Sequence, residues 1–184
     1  MVGRSRKYSR NKRFLELAHF QGIELHNINN RLFEDKDGAF YNYAAAATVR
    51  RLYEKKLSIP CIDAICNPSD ATQKDACVAE IRKCMEIASN LHIPNIRLRA
   101  NCAEHEDIAV ANTAAVIASL LPEIEKNGVT LLMETAGLFA KTEKLRALLD
   151  SFASDYLASL WNFSAAYFEG GESPEQIIKN LGAY

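Results

Sequence analysis

The stretch NGVTLLMETAG, residues 127–137, decides the fold class of this chain. Gly128 is typical of the residue that ends a helix, because glycine adopts the left-handed backbone conformation without a steric penalty. The apolar run that follows, Val129–Met133, predicts a buried strand. Glu134 stands where this strand opens into the loop Thr135–Gly137. The order of helix, buried strand and loop predicts strands that are connected through helices.

Four further stretches repeat this pattern along the chain. Short apolar runs of the β type alternate with longer stretches of helical spacing, and successive runs begin about 28–37 residues apart, the size of a βα unit. The alternation predicts the α/β class, with a mostly parallel sheet of about five strands covered by helices. The strand candidates are Gly22–Asn27, Ile59–Cys66, Asn95–Ala100, Val129–Glu134 and Leu157–Asn162.

Helices are predicted between these strands from their start signals and apolar stripes. Asp70 with Gln73 resembles a capping box, and Ser173 before Pro174 is a typical helix start. Pro122 interrupts an otherwise regular stripe and predicts a kink or a break. The predicted helices cover Asn11–Phe20 and residues 44–57, begin near Asp70, Ile108 and Thr142, and end with one that starts at Ser173.

Composition and charge are those of an ordinary globular protein. The 184 residues are 48% hydrophobic and 24% charged, with a formal net charge of −1, which fits one domain. Residues 1–13 hold six cations and no acid. We predict a basic, disordered leader at residues 1–10 and a single domain at residues 11–184. A leader that touches nucleic acid or an anionic surface is the alternative.

Several classes of protein are excluded or disfavoured by these values. The near-zero net charge argues against nucleic-acid binding by the chain as a whole. No stretch approaches the ~20 apolar residues of a membrane span, so we expect no membrane partner. The cysteines are odd in number and form no Cys-x-x-Cys pair, which indicates buried, reduced thiols in a cytoplasmic protein: Cys61, Cys66, Cys77, Cys84 and Cys102.

Chemistry is expected at the carboxyl ends of the strands, where functional residues collect in parallel α/β folds. Glu134 ends the most apolar strand candidate. A carboxylate there can bind a divalent metal through oxygen or act as a base. The alternatives are a carboxylate that caps a nearby helix and one that is simply solvated.

Two further strands carry candidate functional residues. Arg97 and Arg99 project from the same side of their strand, an arrangement that suits phosphate or carboxylate groups. An ion pair with Glu24 or Asp63 on a neighbouring strand explains Arg97 at least as well. His26 can bind a metal or transfer protons, and a structural histidine is the alternative.

The signatures of several enzyme classes are absent from the sequence. It contains no Gly-x-x-x-x-Gly-Lys-Ser/Thr loop, no Gly-x-Gly-x-x-Gly, no Gly-x-Ser-x-Gly and no His-Glu-x-x-His. Nucleotide-dependent transfer, serine hydrolysis and zinc proteolysis therefore lack their usual motifs.

Several stretches together resemble the sugar phosphate isomerase/epimerase family. LLPEIEKNGVTLLMET at 120–135 and LASLWNF…EGGESPEQIIKNLG within 157–182 are the most specific. GIELHN at 22–27 is similar to the second strand of the family, and EIASNLHIPNIRLR at 86–99 to a later helix-to-strand passage. The resemblance covers about residues 11–184 and implies a xylose isomerase-like TIM barrel, the fold that apurinic endonucleases also have.

The resemblance also implies a divalent cation, manganese, magnesium or zinc. Family members hold it with a Glu ending the fifth strand, an Asp ending the sixth, a His on the seventh and a Glu on the eighth. By this likeness Glu134 is the fifth-strand ligand and Asn162 is a weakened ligand in the place of Asp. If the chain is catalytic, we predict Glu134 as the catalytic carboxylate and His26 and Arg97 as substrate contacts. The implied reaction is metal-assisted proton transfer next to the carbonyl of a sugar or sugar phosphate.

The last two strands of the family have no counterpart before residue 184. We therefore expect an apparently truncated (β/α)8 barrel of about five strands, since a complete one typically needs about 250 residues. Its metal site would be incomplete or empty, and its open sheet edges would be covered in a homo-oligomer. The alternatives are a non-catalytic barrel fragment that serves as a binding or assembly module and, with less support, a metal-dependent apurinic endonuclease relative.

Overall fold

The computed structural model describes residues 20–26, 36, 38–102 and 105–184. The predicted leader at residues 1–10 lies outside the described residues, as does the predicted helix Asn11–Phe20 apart from its last residue.

The described chain contains one parallel sheet whose strands follow the order of the sequence. Each strand pairs with the next one along the chain, in the order β1-β2-β3-β4-β5. This confirms the predicted α/β class with five parallel strands, of which β1 and β5 are the edges. The strands are β1 Leu25–His26, β2 Cys61–Ala64, β3 Asn95–Leu98, β4 Thr130–Glu134 and β5 Leu157–Leu160.

Helices connect the strands, as the alternation predicts. Ser173 caps the last helix by accepting a hydrogen bond from the Gln176 N–H, with Pro174 in the first turn. Asp70 accepts the Thr72 N–H, but the first turn there is a 3-10 helix, Ala71–Gln73. The α-helices are α1 Tyr43–Glu54, α2 Lys74–Leu91, α3 Glu106–Asn127, α4 Thr142–Phe152, α5 Phe163–Phe168 and α6 Pro174–Leu181.

The strand register places apolar side chains in rows on the face of the sheet that the helices cover. One such row crosses all five strands and is at most 5% exposed at every position: Leu25, Ile62, Ile96, Leu131 and Leu157. Burial of each side chain contributes roughly 1.5–3 kcal/mol to folding. Side chains alternate along a strand, so the residues between these face the opposite side of the sheet, where the polar residues lie.

Helix α3 bears on two expectations from the sequence. It runs from Glu106 to Asn127 through Pro122 without interruption, so of the predicted kink or break the break is absent. The buried Leu120 and Ile124 flank the proline and hold this part of the helix against the core. The same helix is long and apolar enough to span a membrane by length and composition, although this is weak evidence because core helices pass the same test.

The loops at the carboxyl ends of β2, β3 and β4 are tied to one another. The Asn101 N–H donates to Asn67 Oδ1 at 2.9 Å, and the Leu138 N–H donates to the Ala100 carbonyl at 2.9 Å. Gly137 has a φ of +58°, and a Cβ at this position would lie 2.5 Å from the Ala100 carbonyl oxygen. Only glycine fits there, which fixes the path of the chain just after Glu134.

Candidate functional site

The strand register brings three of the polar residues side by side. His26 on β1 is the partner of Asp63 on β2, and Asp63 is the partner of Arg97 on β3. Glu24 lies two residues before His26, so it belongs to the same face of the sheet. Glu134 is the last residue of β4, the strand that pairs with β3. We call these five residues, together with Asn162, the rim cluster.

Arg97 lies among three carboxylates of the rim cluster. Its Nη1 donates to both carboxylate oxygens of Glu24 at 3.1 Å. Its Nε lies 3.3 Å from Asp63 Oδ1 and 3.2 Å from Glu134 Oε2. The side chain is 19% exposed, so these interactions are only partly screened by water. The ion pairing that the sequence left open for Arg97 is present, and it extends to Glu134.

His26 lies on the outer side of the same cluster. Its Nδ1 is 2.8 Å from Asp63 Oδ2, and its Nε2 is 3.4 Å from Glu24 Oε2. The imidazole side chain is 43% exposed. It can therefore meet a ligand from solvent while the two carboxylates orient it.

Glu134 is almost fully buried at the carboxyl end of β4, with 3% of its surface exposed. Its Oε1 accepts a hydrogen bond of 2.6 Å from Asn162 Nδ2. Its Oε2 has no aligned hydrogen-bond donor among the described residues, although Arg97 Nε lies close to it. Glu134 thus has one oxygen fixed by an amide and a second that faces a cation without a hydrogen bond.

Asn162 serves as a structural link between β4 and helix α5. Its Oδ1 accepts the Ala165 N–H at 3.1 Å and caps the helix. Its own N–H donates to Thr135 Oγ1 at 2.8 Å. The sequence predicted Asn162 as a metal ligand only by family likeness, whereas an Asn before the helical run FSAAYF is itself a signal for a helix cap.

The structure brings four of the predicted site residues together: Glu134, Asn162, Arg97 and His26. Arg99 lies outside the cluster, and its Nε donates to Asn101 Oδ1 at 3.1 Å. The sequence predicted Glu24 and Asp63 only as ion-pair partners of Arg97, yet each contacts both Arg97 and His26.

A cysteine on β2 is affected by the cluster. The pKa of Cys61 is raised to about 12, first by burial and then by the Glu24 carboxylate, while Arg97 acts in the opposite direction. Cys61 is therefore a neutral thiol at physiological pH and is a poor nucleophile or metal ligand.

The donor set of the rim cluster does not fit a tightly held divalent cation. Hard cations need several oxygen ligands, and no group of three or more His, Cys, Asp and Glu side chains in the described part of the chain could hold a metal. The Asn162 carbonyl oxygen is used by the Ala165 N–H, and the amide nitrogen faces Glu134. Glu134 is left without a second oxygen ligand from Asn162.

Comparison with known proteins places this geometry in a recognised fold. A family model described as xylose isomerase-like TIM barrel matches residues 13–183. No curated protein matches the sequence.

Solved structures of the same fold superimpose on most of this chain. A xylose isomerase domain protein from Planctomyces limnophilus has a TM-score of 0.76 at 13% identity, over 92% of this chain and 64% of its own. A D-tagatose 3-epimerase-like protein has a TM-score of 0.71 at 13% identity, over 89% and 63%. The IOLI protein, solved with a bound zinc atom, has a TM-score of 0.64 at 12% identity, over 82% and 56%. At these identities the similarity shows the fold alone, and this chain spans less than two thirds of each of these structures.

Proposed function

We propose, because this chain belongs to the xylose isomerase-like TIM barrel family, that it acts on a sugar or sugar phosphate. The proposed reaction is an isomerisation or epimerisation in which a proton moves next to a carbonyl group. The observation that carries the proposal is Glu134, a carboxylate at the carboxyl end of a central strand whose Oε2 accepts no aligned hydrogen bond in the described residues.

Each residue of the rim cluster has a proposed role in this reaction. Glu134 accepts the proton through Oε2, while Asn162 holds the other oxygen and so fixes the carboxylate plane. Arg97, 3.2 Å from that oxygen, provides positive charge for a substrate oxygen that becomes negative. His26, the most exposed of the three, donates or accepts hydrogen bonds with substrate hydroxyl groups. No step in this scheme uses a metal.

Solvent exchange tests the proposal directly. The protein is incubated in D2O with ketoses, aldoses and their phosphates, and NMR follows deuterium incorporation next to the carbonyl. We expect incorporation by the parent and a loss of at least about 100-fold in Glu134→Gln, since a positioned base is worth 10²–10⁴-fold. Glu123→Gln is the matched control, because Glu123 is exposed on α3 and pairs only with Arg82 among the contacts described for it.

The outcomes distinguish a failure of the proposed reaction from a failure of the role proposed for Glu134. A parent that exchanges no substrate proton contradicts the proposed reaction. A Glu134→Gln variant that exchanges as fast as Glu123→Gln shows that Glu134 is not the base.

A non-catalytic binding or assembly module is the second candidate function. It is favoured by Arg97, whose charge is already engaged in ion pairs with three carboxylates of the cluster. It is also favoured by four aromatic side chains next to the edge strand β5, all at least 43% exposed: Trp161, Phe163, Tyr167 and Phe168. This candidate predicts sugar binding, seen by saturation-transfer NMR, without deuterium incorporation.

The proposed reaction also suggests the partners and the location of the protein. We propose a cytoplasmic homo-oligomer that binds a small sugar or sugar phosphate, with no nucleic-acid or membrane partner. The formal net charge of −1 supports the absence of a nucleic-acid partner. The packing of α3 against α2 and the sheet supports its assignment as a core helix, since Ile117, Leu120 and Ile124 are at most 1% exposed.

A further inference from the structure

The rim cluster already contains a positive charge, the guanidinium of Arg97, where its three carboxylates converge. Glu24, Asp63 and Glu134 each place a carboxylate oxygen 3.1–3.3 Å from a nitrogen of Arg97. These carboxylates come from three different strands or strand ends and would repel one another without a cation between them. The guanidinium is permanently charged and offers several N–H donors in one plane.

Asn162 reinforces this arrangement. A backbone N–H can only donate, so the Asn162 side-chain atom 3.1 Å from the Ala165 nitrogen must be its carbonyl oxygen. The amide NH2 must then be the group that faces Glu134 Oε1 at 2.6 Å. Glu134 therefore meets a hydrogen-bond donor on one oxygen and a cation on the other.

We propose that Arg97 is the resident cation of the rim cluster and takes the place of a divalent metal. A metal ion bound to Glu134 would lie within a few ångströms of the guanidinium, where the two positive charges repel each other. It would also need oxygen ligands that Asn162 does not supply. This inference concerns charge and folding, and it does not depend on the proposed reaction.

The proposal predicts how the protein responds to Mn²⁺. The fraction of bound Mn²⁺ is measured from its EPR signal, and the melting temperature is measured with and without the ion. For the parent we expect no saturable binding up to about 1 mM, a concentration at which even weak oxygen sites are occupied, and no rise in melting temperature. Saturable binding by the parent that is lost in Glu134→Gln overturns the proposal.

Removal of the guanidinium provides the complementary test. Arg97→Met leaves three carboxylates without their cation, so we expect a lower melting temperature that Mn²⁺ raises again. Arg82→Met is the matched control: Arg82 pairs with Glu123 at a surface where both are more than 40% exposed, and Mn²⁺ should leave its melting temperature unchanged. Equal responses of the two variants to Mn²⁺ contradict the proposal.

A third variant keeps the proposal testable if Arg97→Met does not fold. Arg97→Lys keeps the positive charge but offers fewer donors, so its melting temperature can fall below that of the parent but should not rise with Mn²⁺. A melting temperature of Arg97→Lys that rises with Mn²⁺ contradicts the proposal, because the charge at this position is then not what excludes the metal.

Discussion

At the scale of single residues, the rim cluster is organised by a few short contacts rather than by one catalytic group. Asn162 holds both Glu134 and the start of α5, and Thr135 accepts the Asn162 N–H. Through Asn162, the candidate base Glu134 is linked to helix α5, which follows β5. A change at Asn162 should therefore affect folding and the site together.

We predict that Asn162→Ala lowers the free energy of unfolding by ~2–4 kcal/mol, because it removes a helix cap and also leaves a buried carboxylate oxygen without a donor. Ser173→Ala is the matched control, since Ser173 caps α6 through the Gln176 N–H and its other side-chain contact is with the exposed Glu175 rather than with a buried group; we expect ~1 kcal/mol there. Urea unfolding measures both. Equal losses would show that the hydrogen bond to Glu134 contributes nothing to stability.

Thiol reactivity should follow burial. Burial is the main cause that raises the pKa of Cys61 and of Cys84 to about 12 each, from an ordinary value of 9.0. Iodoacetamide at pH 8 should label the exposed Cys102 first and leave these two unmodified until the protein unfolds, as peptide mass spectrometry would show. Early labelling of Cys61 or Cys84 contradicts the prediction.

The same two pKa values imply a pH dependence of stability. Below about pH 9 the thiols are neutral in both the folded and the unfolded protein. Above it the unfolded chain loses protons that the folded protein keeps, so stability should fall as the pH rises from 9 toward 12. Cys61→Ala with Cys84→Ala should weaken this fall in urea titrations at alkaline pH. An unchanged alkaline slope would show that other groups cause it.

At the scale of elements, the loops after β2, β3 and β4 are joined by hydrogen bonds from backbone N–H groups and by one close approach. Gly137 follows β4 by three residues, and its Cα faces the backbone that follows β3. The position of Glu134 therefore depends on a neighbouring loop as well as on its own strand.

Gly137→Ala should destabilise the protein more than Gly128→Ala. Both glycines have a positive φ, +58° and +64°, so both substitutions carry the left-handed penalty of about 1–2 kcal/mol. Only at Gly137 would the new Cβ clash with the Ala100 carbonyl, whereas Gly128 has nothing within 4 Å. Thermal unfolding of the two variants makes the comparison. Equal destabilisation would show that the loop moves freely away from Gly137.

At the scale of the whole molecule, the sheet of the described residues ends at β1 and β5, and an aromatic surface lies next to β5. Trp161, Phe163, Tyr167 and Phe168 form a chain of ring contacts with centroids 5.0–5.9 Å apart. On the edge strand β5, Ser159 Oγ donates a hydrogen bond to the carbonyl of the last residue, Tyr184, at 3.0 Å. Exposed apolar patches of this kind are typical of interaction surfaces.

We predict that the protein forms a homo-oligomer through this aromatic surface. Light scattering after size exclusion should give a multiple of 20.5 kDa for the parent. Phe168→Asp should shift the mass toward one chain, because Phe168 is 78% exposed in the surface. Tyr43→Asp, at a side chain that is 96% exposed on α1, should leave the mass unchanged. A parent of 20.5 kDa would refute the prediction.

The sequence by itself determined the class of the fold and the strand at which chemistry is expected. Apolar runs and helix signals report local burial and local geometry, and both are written in neighbouring residues, as at Val129–Glu134. Only the tertiary structure decided which charged groups meet. Arg97 and Glu24 are 73 residues apart, and their contact depends on the register of three strands, which no local pattern encodes. The orientation of the Asn162 amide was decided in the same way, because its two partners, Ala165 and Glu134, lie on opposite sides of it and leave only one arrangement of donors and acceptors.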